Sequence, residues 1–392
     1  MNTMSSINQF FSEITCHFQC YNMGRLIQAI DQQTLIDFEQ NNTAWQTPFL
    51  QHAWLAIVFW PDSSQTNKPI SNHYVWFLKL PLDEQAKLNL TARDDFLRRL
   101  FEALRNYLHD AQQNKHQTTA GKLHSLESSL QDNPYGFQPK EEQMANFHAL
   151  VHKQFSLPAS HYYQSTQEYV SGQKDFTQWS QLGLQGIADF CSRLDESYNN
   201  KTNEQLITKN IIHLPIPPFQ AFSICLENQK SSKALTQAVY NKLKQILAQK
   251  EQCSELTAKE RAEITAVCIA SIRASAQSID QKLQRQLLMT ILNSSAGTDI
   301  EVLATIAGRC WLLIIHSELL SFFLEALANT TFINEVQNNT LDHEEIQQQG
   351  AFNAILSDLM FIPGIRTHIL QEFRSAERSN QLTQAIGAFL KK

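Results

Sequence analysis

The spacing of apolar positions changes several times in the first hundred residues. Met4–Ile14 repeats them at helical intervals. Cys16–Met23 then alternates, with Cys16, Phe18 and Cys20 on one side and His17, Gln19 and Tyr21 on the other, as a half-buried strand does. Gly24 predicts a turn or bulge after it. Two aromatic and β-branched runs follow, Ala53–Trp60 and His73–Leu80, each stopped by proline, at Pro61 and Pro81. Joined by a polar, proline-containing connection, they predict an antiparallel pair. Arg93–Asp110 predicts a helix whose stripe carries Phe96, Leu97, Leu100, Leu104 and Leu108. These elements make residues 1–110 a small α+β domain with three or four strands.

Residues 111–138 read as a polar linker or arm. Ala111–Ser129 is rich in Gln, His, Thr and Ser, and Asn133-Pro134-Tyr135-Gly136 is a turn by composition. From 139 to 392 the sequence predicts helices and no strand. Helix-opening signals fall near residues 139, 176, 215, 257, 298 and 341. Thr257-x-x-Glu260 and Thr298-x-x-Glu301 match the capping box, in which a hydroxyl satisfies an orphan amide and a carboxylate reaches back. Ser278–Leu292, Ser317–Ala328 and Gly364–Arg374 supply second helices. Helix pairs recurring roughly every 40 residues have the spacing of HEAT- and armadillo-like arrays. Such units bury their apolar faces only by stacking on neighbours, so this part is expected to be an all-α helical-repeat solenoid. An irregular helical bundle with even spacing would give the same pattern.

Composition narrows the function classes. At 392 residues with 43% hydrophobic positions, the chain can bury a large core, which excludes global disorder. The net charge of −6 leaves no overall basic footprint for nucleic acid. The 11 glycines are well below ordinary usage, and no G-x-x-x-x-G-K-[ST], G-x-G-x-x-G or G-x-S-x-G motif occurs. No cofactor is therefore expected. Gln occurs 41 times, so the solvated faces are largely neutral amides with weak long-range steering. The seven cysteines, at 16, 20, 191, 225, 253, 268 and 310, are odd in number and widely spaced, which predicts reduced thiols in a cytoplasmic protein. The most apolar stretch, Val302–Ile315, contains Arg309 and is too short for a span of about 20 residues, so no membrane is expected.

Several constellations resemble sites. His148-x-x-x-His152 shares a helix face, but the residue after the first histidine is Ala149, where a zinc peptidase needs glutamate. Cys16 and Cys20 face away from His17 on a strand, so the three do not converge. Pro61-Asp62 followed by Lys79 has part of a nuclease layout, but Phe77 stands where a second acid would hold a divalent ion. No metal is expected at any of them. Gly183 and Gly186 fall on the stripe of Trp179, Phe190 and Leu194 in a helix predicted over Phe176–Leu194, which points to close helix approach. The polar cluster of most interest is Lys79 with Asp83 and Glu84, near Arg25. It predicts either ion pairs tying a strand end to a turn, or a shallow pocket edged by Trp76 and Tyr74.

Taken together, Tyr21-Asn22-Met23-Gly24-Arg25, Trp76–Glu84, Asn133-Pro134-Tyr135 and Gly183-Leu184-Gln185-Gly186-Ile187 resemble a bacterial family labelled domain of unknown function 3549. The resemblance implies a bacterial, cytoplasmic protein and carries over no catalytic or binding residue. The expected function is a non-enzymatic interaction scaffold that binds another protein on its helical-repeat surface. The alternatives are an enzyme or accessory factor with its site around Arg25, Trp76, Lys79, Asp83 and Glu84, and nucleic-acid binding through Arg98, Arg99 and Arg105 or Arg366, Arg374 and Arg378. The acidic balance weighs against the last.

Overall fold

The computed structural model describes residues 6–61, 73–113, 133–251, 256–331 and 341–391. Asp62 with the polar connection that follows it, Cys253, and the predicted arm from residue 114 to 129 lie outside the described residues. The chain divides into two compact units. The first comprises Met1–Met144 with Gln154–Leu157 and Phe361–Pro363, and the second comprises Ala145–Lys153, Pro158–Met360 and Gly364–Lys392. A small antiparallel sheet near the N-terminus is followed by many helices.

The first unit holds a four-stranded antiparallel sheet. Its strands are β1 (Cys16–Asn22), β2 (Gln28–Ile30), β3 (His52–Pro61) and β4 (Tyr74–Pro81), in the order β2-β1-β3-β4. The predicted pair forms, with Leu55 opposite Leu78 and Ile57 opposite Trp76. Among the described residues, three helices accompany the sheet: α1 (Ile7–Glu13), α2 (Gln32–Glu39) and α3 (Leu90–Gln113). Phe10 and Phe11 of α1 pack on Phe59 and Trp76, and Phe96, Leu97 and Leu100 of α3 close the same core. The sequence reading did not include β2 or α2. β2 is too short to show a period, although Asp31, which caps α2 by accepting from the Thr34 amide, was a visible signal.

One expectation for β1 needs correction. Tyr21, on the side predicted to face water, is fully buried and donates its hydroxyl hydrogen to Gln154 Oε1 at 2.8 Å. Leu55–Phe59 of β3 are buried without interruption, so both faces of β3 are covered there, and a continuous apolar run is what such a strand requires. β4 is an edge strand, and the predicted turn at 133–136 returns along it. The Gly136 amide donates to Asn133 O at 2.8 Å, closing the turn. The Lys79 amide then donates to Tyr135 O at 2.6 Å and the Phe137 amide to Phe77 O at 3.1 Å, which caps part of the open edge.

Helix α4 (Glu141–Gln154) contributes Ala145–Lys153 to the second unit, which continues with α5 (Tyr163–Val170), α6 (Leu184–Ser192) and α7 (Asn203–Asn210). Then come α8 (Ile216–Leu226), α9 (Lys233–Lys250), α10 (Ala258–Ala274), α11 (Gln281–Leu292), α12 (Ile300–Arg309), the single turn α13 (Trp311–Ile314) and α14 (Ser317–Ala328). The last helices are α15 (Leu341–Met360), α16 (Ile365–Glu372) and α17 (Asn380–Leu390). Helix α8 packs between α6 and α10, and α12 packs between α10 and α15. Helix α9 packs between α7 and α11, and α14 between α11 and α17. The Thr257–Glu260 capping box is present.

Three local expectations fail here. A two-residue hairpin, β5 (Ser197–Tyr198) with β6 (Lys201–Thr202), interrupts the helices, because Asn199 and Asn200 both take positive φ and suit a tight turn. The cap of α12 is Asp299, not Thr298. Asp299 Oδ1 accepts from the Glu301 amide at 2.8 Å, while the Thr298 carbonyl is bound by the Thr331 amide. The helix predicted over Phe176–Leu194 is a 3-10 turn over Phe176–Gln181 followed by α6, and Gly183 at φ 66° ends the one and caps the other. Gly186 does fulfil the packing expectation: a Cβ there would lie 2.6 Å from Tyr162 Cβ and 2.8 Å from Thr166 Oγ1.

Candidate functional site

Strand alternation decides where the predicted cluster goes. Trp76 and Lys79 are three residues apart on β4, so they leave opposite faces of the sheet. Trp76 is buried in the core, with its ring centroid 4.7 Å from that of Phe59 and 5.4 Å from that of Phe11. Lys79 lies over Trp54, its cross-strand partner, with Nζ 5.5 Å from the ring centroid, a cation–π arrangement. Asp83 turns its carboxylate back onto its own loop, where Oδ1 accepts from the Gln85 amide at 2.8 Å and the Lys87 amide at 2.9 Å. Glu84 is an exposed residue of that turn. Arg25 is buried, its Nε donating to Pro48 O at 2.8 Å and its guanidinium carbon 5.6 Å from the centroid of Phe49. Among the described residues, no ion pair joins Lys79 to Asp83 or Glu84. The structure therefore does not bring the cluster together: Lys79, Asp83 and Arg25 each meet another partner, and Glu84 is exposed.

A cavity does lie beside Trp76, but other residues form it. It encloses about 520 Å³ between β4 and the returning segment 133–139, with Phe96, Phe137 and Met144 among its walls. Two of its lining residues carry buried N–H groups without a hydrogen-bond partner, Trp76 at Nε1 and Asn133 at Nδ2. Asn133 Oδ1 is occupied by the Tyr135 amide at 3.0 Å. Tyr74, expected at the rim, stacks on Phe59 instead, with ring centroids 5.5 Å apart.

The histidine pair on α4 forms a loose stack, His148 to His152, with centroids 6.4 Å apart, and His152 Nδ1 lies 3.3 Å from Pro158 O. Among the described residues, no group of three His, Cys, Asp or Glu is arranged to hold a metal ion.

The second unit contains polar networks that the sequence reading did not single out. Asp189 and Arg193 of the α6 region, both buried, pair at 3.0 Å. Asp189 Oδ2 also accepts from the Ser160 amide at 2.8 Å. Asn203 donates to the Arg193 carbonyl and to the Tyr163 hydroxyl, each at 2.8 Å, and accepts from Gln167 at 3.0 Å. Burial, with the neighbouring Glu196, raises the Tyr163 phenol above its usual range. A second network ties Glu227 to Arg309 and Arg273. Lys242 is buried, and among the described residues no carboxylate pairs with it. Its Nζ donates to Leu214 O at 2.6 Å and Ile212 O at 3.3 Å and lies 5.2 Å from the centroid of Phe219. Burial lowers its pKa to about 8. The four-residue spacing of Asp189 and Arg193 was a readable signal. The partners of Lys242 and Glu227 are too distant along the chain to have been. These networks tie helices of the second unit to one another, although Arg273 Nε and Ser160 Oγ are buried without a hydrogen-bond partner.

One family model, described as Protein of unknown function (DUF3549), matches residues 2–390. No curated protein and no solved structure matches the chain.

Proposed function

The chain belongs to the family described as Protein of unknown function (DUF3549), and from its own residues we propose that it is a non-enzymatic, cytoplasmic interaction scaffold whose helical-repeat surface binds another protein. The observation that carries this reading is the order of helix packing. Helices α6, α8, α10, α12 and α15 follow one another as neighbours, and so do α7, α9, α11, α14 and α17. Two parallel rows of helices, each contacting the next, are what stacked helix pairs produce, and stacked pairs present extended surfaces for partner proteins. The turns within successive pairs also bond to one another. The Ser231 amide donates to Gln277 O, and the Ile279 amide to Ser231 O, both at 3.1 Å.

Two apolar side chains sit on this row of turns. Ile279, between α10 and α11, is 67% exposed, and Leu312, between α12 and α14, is 64% exposed. Phe322 on α14 is also exposed. Apolar side chains left open at successive turns, on a surface of neutral amides, favour a protein partner over a charged polymer. Cys20, Cys191, Cys225, Cys268 and Cys310 are free thiols, which supports a reducing compartment.

The test is affinity capture of the tagged full chain at native salt, comparing wild type with the triple variant Ile279→Asp, Leu312→Asp and Phe322→Asp. The reading expects a stoichiometric protein partner whose recovery falls at least about tenfold in the triple variant. It also expects unchanged capture by the double variant Lys79→Ala and Asp83→Ala. Equal capture by the triple variant, or retention on RNA that weakens steeply with salt, overturns it.

A further inference from the structure

We infer that the cavity along the open edge of β4 is a binding site for a small, uncharged, flat molecule bearing an amide-type carbonyl. Three independent features converge there. The first is the wall. Trp76, Phe77, Phe96 and Phe137 line a space of about 520 Å³, and aromatic walls around a space of that size suit a one- or two-ring ligand.

The second feature is backbone. Phe77 O and the Lys79 amide point outward from the sheet, to Phe137 and Tyr135. In an antiparallel edge strand, alternate residues share that direction, so the N–H and C=O of Val75 also point outward. Val75 lines the cavity, and the returning chain does not reach it. Pro139, which has no amide hydrogen, follows where the returning segment leaves the strand. One donor and one acceptor, side by side on a strand edge, match the N–H and C=O of an amide.

The third feature is the pair of unpartnered donors, Asn133 Nδ2 and Trp76 Nε1. Both are enclosed by protein in the present geometry, so a ligand carbonyl reaches them only after a side-chain adjustment. The Asn133 amide is the closer prospect, because only its oxygen is committed, to the Tyr135 amide. Among the described residues, no ionisable side chain lines the cavity. A carboxylate would lose its hydration there and meet no cation, whereas a neutral carbonyl loses far less and gains a donor. The ligand class is therefore a neutral aryl amide or lactam rather than an acid or a hydrocarbon.

The experiment uses the full chain and three probes of matched shape, 2-naphthamide, 2-naphthoate and 2-methylnaphthalene, titrated by saturation-transfer NMR. The amide is expected to bind at least about tenfold more tightly than either relative. Asn133→Asp keeps the oxygen that holds the Tyr135 amide but removes the N–H groups; it lowers the melting temperature, because a carboxylate is buried there without a cation, and the folded variant is expected to bind 2-naphthamide at least about tenfold more weakly. Should that variant not fold, Val75→Pro serves instead. It removes one outward N–H and no bond to β3, and the same loss is expected. Absence of saturation transfer to 2-naphthamide, equal affinity for the three probes, or full binding by the folded variant overturns the assignment.

Discussion

Glu227, at the end of α8, accepts a hydrogen bond from Arg309, at the end of α12, with Oε2 2.7 Å from Nε. The two residues are separated by two intervening helix pairs' worth of sequence. Arg273, at the end of α10, approaches the same oxygen at 3.7 Å. Three helices of one row thus end on a single carboxylate, which is largely buried while both arginines are partly exposed. Cations at helix C-termini are favoured by the helix dipole, and the shared acid removes their mutual repulsion. Glu227→Gln is expected to lower unfolding free energy by about 1–3 kcal/mol, because two partly buried guanidinium groups lose their counter-charge. Urea denaturation measures it. A double-mutant cycle with Arg309→Gln is expected to show coupling of about 1 kcal/mol, and additivity would mean the contact is energetically idle.

Glycine substitutions in the second unit separate close approach from helix propensity. Gly186→Ala forces a methyl group against Tyr162 and Thr166, and is expected to destabilise by about 1–3 kcal/mol. Gly308, near the end of α12, has nothing within 4 Å of its missing Cβ, so Gly308→Ala is expected to stabilise by about 0.5–1 kcal/mol. Thermal melting of both variants checks the opposite signs.

What was legible in the sequence follows the range of the forces involved. Ala53–Trp60 and His73–Leu80 could be read as paired strands because both are short aromatic and β-branched runs stopped by proline, and burial on both faces of β3 demands an unbroken apolar run there. Thr257 could be read as a cap because its partner is three residues away. The fate of Lys79 and Asp83 was not legible. Proximity in sequence placed them together, but alternation along β4 sent Lys79 over Trp54, and the amides of Gln85 and Lys87 captured Asp83 within its own turn. A local amide wins over a flexible lysine because little side-chain freedom is lost in meeting it. The cavity was half visible: Trp76 was named, but Asn133 and Phe137 join it only when the chain returns along the β4 edge.

Glu39 sets an acid-side pH dependence in the first unit. Its Oε1 accepts from the Ile7 amide at 2.8 Å, at the start of α1, and Oε2 is buried without a partner. Burial raises its pKa from 4.5 to about 7, against the opposing pull of the Ile7 amide and Arg93. Between those values the folded chain holds a proton that the unfolded chain has released. Stability therefore falls as pH rises from about 4.5 to 7, by up to about 3 kcal/mol. Glu39→Gln keeps an acceptor for Ile7 and is expected to flatten this slope and to be the more stable protein at pH 8. Urea midpoints at pH 5.5 and pH 8 give the comparison, and a variant that retains the wild-type slope would remove Glu39 as its source.

Lys242 acts in a separate window and with the opposite sign. Its folded pKa is depressed by burial from 10.5 to about 8, so between those values the unfolded chain binds the extra proton. Stability contributed by this group therefore rises with pH from about 8 to 10.5. The ammonium is retained because its hydrogens fill the carbonyls of Leu214 and Ile212, just before α8. Lys242→Met preserves the packing on Phe219 but orphans those carbonyls, so below pH 8 two effects compete: the desolvation of a charge is relieved and two acceptors are lost. Above pH 10 only the loss remains. The difference in stability between wild type and Lys242→Met is therefore expected to grow in favour of wild type as pH rises from 8 to 10. Denaturation at pH 7, 8.5 and 10 measures it, and a difference independent of pH would show that Lys242 does not titrate in this range.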